Sequence, residues 1–108
     1  MELSQRKCVP CEGGVPALGA GQVVTLISQL PGWRVAPGES ELHKRYNFKN
    51  FVETMAFVNR IAELAEGEGH HPDFCVRYNV LDVALSTHAV SGLTENDFIL
   101  AAKIDQLG

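Results

Sequence analysis

Residues Asn50 to Glu66 set the terms for the rest of the chain, because they carry a helical apolar pattern too wide to be left to solvent. Phe51, Met55, Val58, Ala62 and Ala65 fall on one stripe, with Phe57, Ile61 and Leu64 beside it, the spacing of an amphipathic helix. Asn50 is placed to cap this helix, with Glu53 three residues on. A face this broad is expected to lie on a sheet, with Met55 and the phenylalanines as core.

The helix should stop abruptly. Gly67 and Gly69 suit a stop because glycine takes the left-handed backbone conformation at little steric cost, and Pro72 blocks resumption and pushes His71 towards an extended conformation. Glu66-Gly67-Glu68-Gly69-His70-His71-Pro72 therefore forms a helix-to-strand corner that holds two of the four histidines. Glu63, Glu66 and Glu68 crowd a helix C-terminus whose dipole favours cations by roughly 0.3 to 1 kcal/mol each. Such breaches of local preference concentrate at functional sites.

Strand and helix patterns flank the corner. Gln22 to Leu30 has helical spacing and ends at Pro31-Gly32, after which Trp33 to Pro37 and Glu41 to Phe48 suggest a hairpin with Leu42, Lys44, Tyr46 and Phe48 on one face. Beyond the corner, Phe74 to Tyr78 and Leu81 to Thr87 suggest a second hairpin turning at Asn79-Val80, and Thr94-Glu95-Asn96-Asp97 opens a last helix. Asp97, third in that helix, is suited to a capping role. The order α-β-β-α-β-β-α predicts an α+β domain, a four-stranded antiparallel sheet with helices packed on one face. Phe74, Val76 and Tyr78 alternate along a weakly charged strand that makes a candidate sheet edge, so a homodimer or homotetramer is expected.

Residues 1–18 are too rich in proline and glycine for a regular element and are expected to form an extended arm, leaving 19–108 as a single domain. The arm holds Cys8-Val9-Pro10-Cys11, which supplies two thiolates where a structural zinc site needs four ligands. Three cysteines fit reduced thiols better than a disulfide scaffold. His43, on a polar strand face, is expected to be solvated rather than a ligand. Adjacent histidines in extended backbone point to opposite faces and rarely chelate one ion together, so no metal is expected at His70 and His71.

The formal charge of −4, with nine Lys and Arg thinly spread, argues against nucleic-acid or anionic-membrane binding. No apolar run approaches the ~20 residues of a membrane span, and the N-terminus lacks the apolar core of a signal peptide, so a cytoplasmic location is expected.

Glu66, then His70-His71-Pro72, then Tyr78, His88 and Asp97 form an ordered set with spacings of three, five, nine and eight intervening residues. Together with Pro31-Gly32-Trp33, Leu85-Ser86-Thr87-His88 and Gly92-Leu93, this set resembles the pterin-4a-carbinolamine dehydratase family, also known as the dimerisation cofactor of a homeodomain transcription factor. Gly69 stands where mammalian members have an acid, and Phe74 where they have tryptophan. The resemblance implies dehydration of a 4a-hydroxytetrahydropterin to the quinonoid dihydropterin, in support of tetrahydropterin recycling, with no cofactor and no metal. It implies His70 and His88 as an acid–base pair with Glu66, and more weakly Asp97, orienting or charge-stabilising a histidine. For pterin binding it implies His71, Pro72, Phe74 as an aromatic wall, the backbone of Thr87, Ala89 and Val90, and, more weakly, Asp97. Imidazole suits both proton transfers because its unperturbed pKa is about 6.5. The competing expectation is a non-catalytic module that keeps the fold and binds a partner or dimerises.

Overall fold

The computed structural model describes residues 3–5, 8, 17–36, 40–87 and 92–107. Among them the element order is a 3-10 turn (Leu3–Gln5), α1 (Ala20–Ile27), β1 (Arg34–Val35), β2 (Leu42–Asn47), α2 (Phe51–Glu68), β3 (Asp73–Arg77), β4 (Val80–Leu85) and α3 (Glu95–Leu107). The α+β architecture and the four-stranded antiparallel sheet are as expected, with strand order β1-β2-β4-β3. Leu81, Val83 and Leu85 of β4 are buried beneath the helices while their neighbours are half-exposed, the period-2 pattern of a sheet covered on one side. β3 is an edge strand.

Three boundaries differ from the sequence pattern. α1 ends at Ile27, yet Leu30 beyond it is still buried and accepts the Trp33 amide. β1 is only two residues long, an edge strand paired with β2 alone. The second hairpin turns at Tyr78-Asn79 rather than Asn79-Val80, since Arg77 pairs with Val80, and Tyr78 takes φ 51 to make the turn. Asn79 is tied to the end of β2: its carbonyl accepts the Phe48 amide at 2.8 Å and its side-chain amide donates to the Phe48 carbonyl at 3.2 Å.

The largest correction concerns the face of α2. Its buried stripe is Thr54, Phe57, Ile61 and Ala65, while Phe51 is 48% exposed and Ala62 lies in solvent. Thr54 hides this stripe from a hydrophobic count, because its hydroxyl donates to the Asn50 carbonyl at 2.9 Å and so enters the core with its polar atom satisfied. The Asn50 cap stands as expected, its side-chain oxygen accepting the Glu53 amide at 2.9 Å. Phe57 meets Tyr46 and Phe48 at centroid distances of 5.0 and 5.2 Å, which seats α2 on β2.

α3 is buried on nearly all sides in its first half, with Phe98, Ile99, Leu100 and Ala101 at 3% exposure or less. Leu3 of the N-terminal turn joins the same core. The C-terminal end of α3 is held to the sheet by one carboxylate, Asp105, which accepts from Lys44 Nζ at 2.8 Å, Tyr46 Oη at 2.6 Å and Trp33 Nε1 at 3.1 Å. Lys44 thus sits on the helix face beside Leu42, as its position in the alternation requires, with its charge compensated there. No described helix is long and apolar enough to cross a membrane.

Candidate active site

The site begins with the way α2 ends. Gly69 adopts φ 69, ψ 23, and both its amide and that of His70 donate to the Ala65 carbonyl, at 2.9 and 3.3 Å. This left-handed C-cap reverses the chain, and a side chain here would have to adopt a conformation that favours glycine. His70, the next residue, is turned inwards and is only 7% exposed.

Its partner comes from the start of α3. His70 Nε2 donates to Asp97 Oδ1 at 2.6 Å, and Asp97 is completely buried. The other carboxylate oxygen, Oδ2, accepts the Thr94 amide at 2.9 Å and the Thr87 hydroxyl at 2.8 Å. Thr94 Oγ1 accepts the Asn96 amide at 3.2 Å, so the Thr94 hydroxyl and the Asp97 carboxylate each satisfy a backbone amide at the head of α3. Capping and site roles are therefore not alternatives for Asp97, because one oxygen caps the helix and the other holds the histidine. A carboxylate can only accept, which places the His70 proton on Nε2 and leaves Nδ1 without a partner among the described residues.

The remaining candidates divide. Glu66 pairs with His71, Nε2 to Oε2 at 2.5 Å, and both side chains are more than half exposed. Glu66 therefore orients His71, and Asp97, the weaker candidate from sequence, takes the place beside His70. Pro72 is half-buried between His71 and β3. Phe74 lies opposite Val83 on β3 and is 38% exposed, an aromatic surface on the edge strand. Thr87 contributes more than backbone: its side chain is buried against Asp97, and its backbone pairs with Gly92. His88, Ala89 and Val90 lie outside the described residues.

Two acids that looked misplaced at the end of α2 prove to be used. Glu66 meets His71, and Glu68 accepts from Lys103 Nζ at 2.9 Å and from the Cys8 amide at 2.9 Å. Two residues before His70, Glu68 thus ties the end of α2 to α3 and to the N-terminal segment. Neither Lys103 nor Cys8 was marked as its partner by the sequence, and the only signal was the acid crowding itself. Burial raises the Glu68 pKa, but the Cys8 amide and the Lys103 ammonium outweigh it and hold the carboxyl below its usual range. A depressed folded-state pKa contributes stability that is present above the unfolded-state pKa and lost as pH falls through the folded one. Urea unfolding at pH 7 and pH 4 should show Glu68→Gln less stable than the parent at pH 7, with a smaller further loss at pH 4. Equal losses in the two proteins would remove Glu68 from the acid response.

The described clefts of this surface, one of about 330 Å³ beside Leu3, Leu30 and Asp105 and one of about 350 Å³ on the helix-free sheet face beside His43 and Arg45, do not include His70. The chemistry of the His70–Asp97 pair outweighs their size as a guide to the site.

Comparison with known proteins bears on the whole chain. The family model described as pterin 4 alpha carbinolamine dehydratase matches residues 16–107. A protein of Rubrobacter xylanophilus named "Putative pterin-4-alpha-carbinolamine dehydratase" is 47% identical over 106 residues, covering 98% of each chain. One of the same name from Halorhodospira halophila is 44% identical over 108 residues, covering 100% of this chain and 99% of its own. A crystal structure of a "transcriptional coactivator/pterin dehydratase" from Brucella melitensis superposes with TM-score 0.81 at 31% identity, covering 84% of this chain and 97% of that one. A pterin dehydratase-like protein described as a RuBisCO assembly factor in the alpha-carboxysome superposes with TM-score 0.62 at 28% identity, over 70% of this chain and 88% of its own.

Proposed function

Because the chain belongs to the pterin 4 alpha carbinolamine dehydratase family, we propose that it dehydrates a 4a-hydroxytetrahydropterin to the quinonoid dihydropterin. One base removes the N5 proton, one acid protonates the departing C4a hydroxyl, and the products are the C4a=N5 double bond and water. The observation that carries this reading is the buried His70–Asp97 pair, in which the carboxylate holds Nε2–H and Nδ1 is left to exchange a proton with substrate. His88 is the second member of the acid–base pair, assigned from its place in the sequence. His71, held by Glu66, and Phe74 supply a polar and an aromatic contact for the pterin ring. General acid–base help of this kind is worth about 10² to 10⁴ in rate.

The test is turnover of chemically generated 4a-hydroxytetrahydropterin by the purified protein at low concentration, followed by stopped flow. Acceleration over the spontaneous reaction is expected, and its absence in the folded protein would favour the second reading. That reading, a partner-binding module on the same fold, is favoured by the likeness to a protein described as a RuBisCO assembly factor.

The thiol of Cys8 has no part in the reaction. Burial first, and then Glu68, push its pKa up to about 12, so it is not a thiolate near neutral pH. Cys8→Ser should retain full turnover, while a large loss in a folded variant would bring the N-terminal segment into the chemistry.

The protein is also expected to self-associate through the β3 edge, whose outer backbone groups, on the side away from β4, pair with no strand among the described residues. Light scattering at micromolar concentration should give a multiple of the 11.8 kDa chain mass. The monomer mass would contradict it.

A further inference from the structure

The two threonines beside Asp97 form a hydroxyl chain whose direction is fixed by chemistry. Thr87 Oγ1 has one proton and two neighbours, Asp97 Oδ2 at 2.8 Å and Thr94 Oγ1 at 2.9 Å. The carboxylate has no proton to give, so the Thr87 hydroxyl donates to Asp97 and the Thr94 hydroxyl donates to Thr87. Thr94 Oγ1 in turn accepts the Asn96 amide at 3.2 Å. Donation therefore runs one way, from the first turn of α3 through two hydroxyls to the carboxylate. Both threonines are at most 2% exposed, so no solvent competes for these bonds.

We infer that Thr87 and Thr94 are positioning residues for His70. The Thr87 hydroxyl and the Thr94 amide occupy Asp97 Oδ2, and the Thr94 hydroxyl orients that of Thr87, which leaves Oδ1 directed at His70 and holds the imidazole tautomer with its proton on Nε2 and its lone pair on Nδ1. The sequence offers Thr87 only as backbone and Thr94 only as a helix opener, and the buried contact between them gives both a role in the chemistry. The link from tautomer to turnover rests on the dehydratase reading above, whereas the tautomer itself does not.

The hydroxyls can be removed almost without change of shape by Thr87→Val and restored by Thr87→Ser. In protein labelled with 15N-histidine, at a pH where the rings are neutral and with His70 assigned through a His70→Gln variant, the parent should show Nε2 protonated and Nδ1 bare. Thr87→Val keeps the carboxylate but loses the bond that aims Oδ1, and should show a detectable share of the Nδ1-protonated tautomer beside Nε2–H and a kcat lowered about tenfold, the scale of one hydrogen bond to a charged group, with KM within about twofold. Thr87→Ser should return both readouts to parental values. A folded Thr87→Val protein with the parental tautomer and kcat would overturn the inference. So would a parent with its proton on Nδ1, which needs no variant to fold. A parent with the expected tautomer but no dehydration would instead overturn the functional reading and leave the positioning intact.

Discussion

Replacing His70 with alanine should lower dehydratase turnover at least tenfold while leaving the fold recognisable by circular dichroism. The rate loss follows from general acid–base catalysis, worth roughly 10² to 10⁴, part of which water in the vacated site can replace. The stability loss is smaller because the ring packs at the edge of the core and leaves one carboxylate oxygen to rehydrate, a cost of about 1–3 kcal/mol. His88→Ala should reduce turnover comparably, since the dehydration needs both a base at N5 and an acid at the C4a hydroxyl.

Asp97→Ala should do more damage, to stability and rate together. It strands three donors in a buried space, the Thr94 amide, the Thr87 hydroxyl and His70 Nε2–H, and removes the cap of a helix that lies in the centre of the core. Breaking a buried, fully hydrogen-bonded charge site of this kind costs about 3–5 kcal/mol, a large share of the stability of a small domain. Chemical denaturation should show it directly. Asp97→Asn separates the two effects. Its amide oxygen can still accept from Thr94 and Thr87, so most of the stability should return. Its NH2 then faces His70 and requires Nε2 to accept, which reverses the tautomer and should leave turnover as low as in His70→Ala. A stable Asp97→Asn protein with parental turnover would contradict the role given to the carboxylate.

The fold was legible wherever residue chemistry and backbone period agree. Leu81, Val83 and Leu85 alternate because β4 has one covered face, Asn50 caps because its side chain reaches the Glu53 amide, and Gly69 ends α2 because it alone tolerates the reversal. The face of α2 was misjudged because a threonine bonded to its own helix counts as polar in sequence and as core in three dimensions. The family resemblance pointed to the His70-His71-Pro72 corner and to Asp97, and the fold brings His70 and Asp97 into contact. What spacing along the chain does not convey is which partners meet: Asp97, 27 positions on, rather than Glu66 holds His70, Glu66 goes to His71, and Glu68 goes to Lys103 and Cys8. The His70–Asp97 and Glu68–Lys103 pairings depend on how α2 packs against α3, a property of tertiary contact that no local pattern records.

The most direct measurement is a single-turnover experiment with protein in excess over 4a-hydroxytetrahydropterin, comparing the parent with His70→Ala at saturation, where binding no longer limits the rate and only proton transfer remains. The expected result is a rate constant for the parent far above the spontaneous reaction and one at least tenfold lower for His70→Ala, with pterin still bound. Equal rate constants in the two proteins at saturation would show that His70 acts in binding alone and would contradict general acid–base catalysis by the His70–Asp97 pair.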